Sequence, residues 1–272
     1  MAAYAIACLS GLLLLFNGYF LVEKTENPVL QQEARSTKTE LPQLVNNRKE
    51  QIINHEGFTV SYNADFRIAN WTVYELTADE AKAKEVGRAA KFFPDPEAKG
   101  VSATNDDYKH SGYDRGHLVP AGDMKWSKEG MHASFYFSNI CPQNRELNAG
   151  LWHSIEKQCR AWAVKYGAIV IVTGPVIEDN MKRLGENKVG IPDKFYKVIS
   201  STAGDKSRSI GFLVENRNYE NRLLKEVAVT VDSVESVTGI RFFTSFPPGT
   251  QKEMKSAIDW TYWKFNKSKN VL

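Results

Sequence analysis

Residues Ala168 to Thr173 read Ala-Ile-Val-Ile-Val-Thr, a continuous β-branched run that predicts a central, buried strand. The elements around it set the fold class. Phe58 to Tyr62 alternates as a strand, Ile68 to Leu76 reads as its neighbour, and Asn63-Ala64-Asp65 turns between them. Strands also fit Phe195 to Ser200, Ser209 to Leu213, Val227 to Val231 and Phe242 to Ser245. Thr77 to Lys84 is a short helix opened by a capping-box spacing from Thr77 to Glu80. Helices also fit Trp126 to Tyr136, Asn148 to Tyr166 (apolar stripe Leu151, Ile155, Cys159, Trp162), Ser233 to Thr238 and Lys252 to Phe265. Phe135 to Ile140 leads into a short extended piece. Residues 93 to 112 carry Pro94, Pro96, Gly100 and Gly112 and read as loop. Strands and helices mix without strict βαβ alternation, which argues for a single α+β (mixed α/β) domain.

That domain does not fill the chain. From Ala2 to Val22 there is no charged residue, and about twenty apolar residues can cross a bilayer as a helix. Residues 1–22 therefore read as a transmembrane anchor or signal peptide. The lack of Lys or Arg before the apolar run, and of a small-x-small cleavage site after it, favours an uncleaved anchor. Either way the expected location is extracytoplasmic: membrane-anchored, or secreted or periplasmic. Residues 23–51 are polar, lack apolar periodicity and read as a linker. The globular domain is expected over 52–272, and 42% hydrophobic residues are ample for its core. A formal charge of +3 suits a polyanionic partner without demanding one. The cysteines are Cys8, Cys141 and Cys159, with no CxxC or Cys/His cluster for structural zinc. A Cys141–Cys159 disulfide fits an oxidising compartment, and two buried free thiols fit equally well.

Chemistry concentrates in Tyr113-Asp114-Arg115-Gly116-His117. An imidazole titrates near working pH and can take a proton from water, so His117 suits a general base. Arg115 offers a fixed charge to a phosphate. Gly116 allows close backbone approach. Asp114 could orient an imidazole or hold a metal-bound water. Downstream, Ser138-Asn139-Ile140-Cys141-Pro142-Gln143 and Leu147-Asn148-Ala149-Gly150-Leu151-Trp152 supply carboxamides. Asn148 opens a helix, where its oxygen could cap free N–H groups. It is equally a suitable Mg²⁺ ligand, since that ion keeps most of its waters. Glu156, two turns on, could hold those waters. Asn139 could orient His117 or the substrate, or serve as a turn residue before Pro142.

Taken in order, these segments resemble the DNA/RNA non-specific endonuclease family of the ββα-metal superfamily, which includes secreted bacterial nucleases and mitochondrial endonuclease G. The resemblance runs from Asp114–Ala121 through Phe137–Gln143, Leu147–Trp152 and Glu156 to Val172–Val176 and Ile191–Val198. It implies a central, mainly antiparallel sheet flanked by helices and bearing a ββα-metal finger. It implies His117 as general base, Asn148 as direct Mg²⁺ ligand and Glu156 as holder of its waters, with Mn²⁺ or another divalent cation able to substitute. Arg115 and Asn139 match accessory positions. Arg88 matches an upstream arginine that stabilises the transition state, with Lys91 close by. His55, His110, His132 and His153 match nothing. The reading is a metal-dependent, sugar-non-specific endonuclease with DNA and RNA as substrates, held through phosphate contacts, and with the membrane as partner of the N-terminal segment. A non-catalytic nucleic-acid-binding surface protein and a phosphodiesterase acting on smaller substrates are the alternatives.

Overall fold

A computed structural model of the protein describes residues 40–45, 47–203, 206–220 and 222–266. In chain order the strands are β1 (Gln43–Leu44), β2 (Gln51–His55), β3 (Phe58–Asn63), β4 (Ile68–Thr77), β5 (Tyr113–His117) and β6 (Ile140–Asn144). They continue as β7 (Ala168–Pro175), β8 (Arg183–Leu184), β9 (Val189–Gly190), β10 (Lys194–Ser201), β11 (Arg208–Glu215), β12 (Ala228–Val229) and β13 (Ile240–Arg241). The main sheet runs β12-β11-β10-β7-β4-β3-β2, with every neighbouring pair antiparallel. The β-branched run is thus the middle strand of seven.

Its uniform apolarity follows from burial on both faces. Ile169 and Ile171 join Tyr74, Leu76, Phe195 and Ile199 in the larger core. Val172, on the opposite face, packs with Trp71, Val73, Tyr196 and Val198. Ile155, Cys159 and Trp162 of the helix His153–Tyr166 cover the first face. Val231, Val234 and Met254, from the helices Val231–Thr238 and Pro248–Ser256, cover the second. The α+β architecture expected from the sequence, a large antiparallel sheet flanked by helices, is the one observed.

Several local expectations are corrected. The folded unit begins before residue 52: β1 pairs with β13, and Arg48 donates to the Ile177 and Thr238 carbonyls. Residues 40–45 and 47–51 are therefore not linker, and the apolar 1–22 segment lies outside the described residues. Phe242 to Ser245 is not a strand. The extended piece is β13 just before it, and Phe243 has φ +59°, which ends the pairing and turns both phenylalanines into the second core. The last helix, Pro248–Ser256, starts earlier than expected, with proline at its first turn, and stops well short of Phe265. Beyond it, the Asp259 carboxylate accepts from the Thr261 and Tyr262 amides, a local turn that competes with helix. The 93–112 loop contains a short helix, Asn105–Tyr108. The predicted capping box at Thr77 and Glu80 is present.

Candidate active site

β5 carries the Asp-Arg-Gly-His run and pairs antiparallel with β6, placing Asp114 opposite Gln143 and His117 opposite Ile140. The chain then enters Arg145–Leu147, a π turn over Asn148–Trp152, and the helix His153–Tyr166. Asn216 stitches this finger to the body, accepting from the Asn144 amide and donating to the Pro142 and Pro192 carbonyls. Gly116 is required by close approach. A Cβ there would lie 2.3 Å from Gln143 Oε1 and 2.6 Å from Gln143 Cβ. Gly116→Ala should therefore cost about 1–3 kcal/mol through overpacking, read as a lower midpoint in chemical denaturation. An unchanged midpoint would show that the ribbon opens freely.

The π turn decides the register of Asn148 and Glu156. Eight α-helical residues at 3.6 per turn leave Asn148 and Glu156 about 80° apart. One extra residue taken up in the wide turn offsets about 100°, and the two return to one face. Both line a cavity of about 700 Å³ with His117, Arg88, Arg115 and His153. The helix cap is made by Asn144, whose Oδ1 accepts from Leu147 N at 3.0 Å. Asn148 is thereby released from capping. Its Nδ2 donates to Asp114 Oδ2 at 3.1 Å, which leaves its Oδ1 as the atom available to a hard cation.

His117 is buried between aromatic rings, with Phe135 edge-on at 4.8 Å and Phe92 at 5.5 Å. Burial, helped by the nearby Arg88 charge, pushes its pKa down to about 3, against a raising hydrogen bond to the Arg115 backbone. The ring is neutral at physiological pH, and Nε2 is buried without a partner. An unpaired buried nitrogen costs stability, so its retention points to use as a proton acceptor. Arg115 stacks on Phe92 at 4.9 Å and donates to Asn105 Oδ1. Arg88 lies over Phe135 at 5.1 Å. Glu156 faces His153 Nδ1 at 3.3 Å.

Not every predicted residue reaches the cavity. Asn139 is fully buried, accepts from the Val119 amide and donates to the Val119 and Ser134 carbonyls. It is a brace for the turn after β5, because its hydrogen bonds are spent on backbone. Asp114 orients no imidazole: its oxygens are held by Asn148 and by Arg145 at 3.3 Å. Cys141 and Cys159 are separate buried thiols, so the disulfide alternative is not realised. Burial pushes both thiols up, Cys159 to about 12, which leaves them inert. Sequence reasoning missed Arg160, which lines the cavity and donates to Asp123 at 2.6 Å. Burial raises the Asp123 carboxyl, against the lowering pull of Arg160 and of the Tyr74 hydroxyl at 2.7 Å. Its position four residues after Glu156 was the available signal. His153 was missed too, although it precedes Glu156 by three.

The donor set suits a cation that needs few protein ligands. Among the described residues no group of three or more His, Cys, Asp or Glu side chains could hold a metal, which argues against a thiolate or polyhistidine site. One carboxamide oxygen with a carboxylate behind it fits an ion that retains its waters.

A two-stranded ribbon bearing His117, followed by a helical segment that opens at Asn148, is the arrangement of the ββα-metal class. The similarity is specific. The model of the DNA/RNA non-specific endonuclease family matches residues 35–248, and the chain belongs to that family, one of divalent-metal-dependent nucleases. It is 36% identical over 209 residues to a mitochondrial nuclease EXOG of Xenopus laevis, covering 71% of this chain and 57% of the relative. It is 32% identical to the mitochondrial Nuclease 1 of Schizosaccharomyces pombe, covering 77% and 70%, and 29% identical to human mitochondrial endonuclease G, covering 71% and 69%. The chain spans little more than half the length of several EXOG relatives. A solved EndoG, in complex with EndoGI, superposes with a TM-score of 0.72 at 26% identity, over 85% of this chain and 96% of that one. These names overturn the extracytoplasmic expectation, whether membrane-anchored, secreted or periplasmic, because the EXOG, yeast and endonuclease G relatives are named as mitochondrial nucleases. The membrane partner is likewise unsupported. Among the described residues no helix is long and apolar enough to cross a membrane.

Proposed function

We propose that this protein is a Mg²⁺-dependent, sugar-non-specific endonuclease that hydrolyses phosphodiester bonds of DNA and RNA. The observation that carries the reading is a buried, neutral His117 with an unpartnered Nε2, lining the same cavity as Asn148. His117 takes the proton from the attacking water. Arg115 and Arg88 offset charge on the phosphoryl oxygens. Asn148, its amide held by Asp114, would hold the cation through Oδ1, and Glu156 on the same cavity would hold the cation's waters. When bound, Mg²⁺, or Mn²⁺ in its place, supplies charge stabilisation at the phosphate and the departing oxygen. The relatives' names support a mitochondrial location, tested by subcellular fractionation.

The test is cleavage of supercoiled plasmid and of structured RNA by the purified chain, across a divalent-metal panel and with chelator. Cleavage of both, abolished by chelator, is expected. Binding without cleavage would favour the non-catalytic surface protein. Turnover of small diesters alone would favour the smaller-substrate phosphodiesterase.

A further inference from the structure

Six cationic side chains line the active-site cavity, Lys82, Lys84, Arg88, Arg115, Lys125 and Arg160, against one carboxylate, Glu156. They are not equivalent. Arg160 is neutralised by Asp123, and Arg88 and Arg115 lie over the aromatic rings that enclose His117. The three lysines form a separate wall. Lys82 ends the helix Ala78–Lys82, Lys84 follows it, and Lys125 comes from the turn before the helix Lys128–Ala133. The two segments are tied by the Val86 amide donating to the Lys125 carbonyl at 2.9 Å, so the lysines are held as one unit. No carboxylate of the described residues pairs with any of the three. Glu85, the acid nearest Lys84 in sequence, accepts from the Lys84 amide through Oε2, while Glu80 is held in the Thr77 capping box and Asp123 by Arg160 and Tyr74.

An ammonium group at a helix C-terminus is ordinary, which accounts for Lys82 alone. It does not account for Lys84 and Lys125 converging on the same cavity from two segments. The cavity is also lined by small residues, Ala81, Ala83, Pro120, Ala121 and Gly122. No Phe, Tyr or Trp lines the cavity, so it offers no stacking platform for a base. What the wall offers is charge for a backbone.

We infer that Lys82, Lys84 and Lys125 form a binding subsite for a non-scissile phosphate of the strand being cut, beside the catalytic residues. The inference rests on the nuclease reading and extends it: the substrate class is a polynucleotide strand gripped at two places, without regard to base. A small diester carries no second phosphate for the wall to hold. Phosphate gripping by lysine releases counterions and therefore writes itself into the salt dependence of binding.

The experiment measures the Kd of the full chain for a fluorescein-labelled single-stranded 12-mer by anisotropy, in chelator so that nothing is cut, between 50 and 300 mM KCl. The Lys82→Ala/Lys84→Ala/Lys125→Ala variant is expected to bind about tenfold more weakly at 150 mM salt. Its slope of log Kd against log salt should be shallower by about 2, from three contacts at about 0.7 each. A triple lysine-to-arginine variant should restore both. Replacing Lys99, Lys182 and Lys252, outside the cavity, should change the slope by less than half as much. An unaltered slope in the cavity variant, or an equal loss in the outside variant, would overturn the subsite. The nuclease reading fails differently: wild-type protein with Mg²⁺ would leave plasmid intact whatever the slopes. The three positions are half-buried or exposed, so each variant is expected to fold, which circular dichroism checks.

Discussion

His117→Ala is expected to lower the rate of plasmid cleavage by about 10²–10⁴-fold, the usual contribution of a positioned general base. The imidazole is the one group in the cavity whose acceptor nitrogen is buried, neutral and unspent. Nucleic-acid binding in chelator should persist, because the cationic side chains stay in place. Cleavage within threefold of wild type would remove His117 from the mechanism. The pH profile gives a second check. The folded imidazole titrates at about 3, well below its usual 6.5, and is already the base at neutral pH. The profile of kcat/KM should therefore show no inflection near 6.5, and its acid limb should lie below pH 5. An inflection at 6–7 that vanishes in the variant would contradict the buried, neutral base. Stability follows the same sign. Below 6.5 the unfolded chain binds a proton that the folded imidazole refuses until about pH 3. The His117 contribution is thus full above 6.5 and is lost as pH falls through that window.

Asn148→Ala should raise the Mg²⁺ concentration for half-maximal rate by at least about 10–100-fold, since loss of even an outer-sphere partner has that effect. Asn148→Asp, conservative in shape, should not rescue it fully. A carboxylate has no N–H to donate to Asp114 and would face it across about the 3.1 Å now spanned by a hydrogen bond. The combined variant Asn148→Asp/Asp114→Asn restores a donor–acceptor pair and should recover part of the loss. Metal titration of the cleavage rate separates these outcomes. Equal half-saturation in all three variants and wild type would place the cation elsewhere.

How legible was this site beforehand? The order of short segments from Asp114 to Val198 was enough to name the family, because each residue type answers one demand of phosphodiester chemistry. The division of labour among the carboxamides was not legible. Asn139, Asn144 and Asn148 have identical side chains, and sequence cannot tell which one spends its hydrogen bonds on backbone. In the fold Asn139 braces a buried turn and Asn144 caps the helix, while Asn148 donates to Asp114 and keeps its Oδ1 free of both tasks. The strand at 242–245 failed for a related reason: an aromatic pair satisfies a core in a bend as well as in a ladder.

The sequence by itself determined the central strand, the α+β class, the capping box at Thr77 and the family to which the ordered segments belong. These depend on local composition and on which side chains can carry a given chemistry. Only the tertiary structure decided that the imidazole is neutral, that Asp114 serves Asn148, and that Asn148 and Glu156 share a face through a π turn. It alone brought Arg160 and the three lysines to the cavity. The physical reason is that desolvation, helix register and the meeting of distant segments belong to the packed chain and are carried by no single stretch of it.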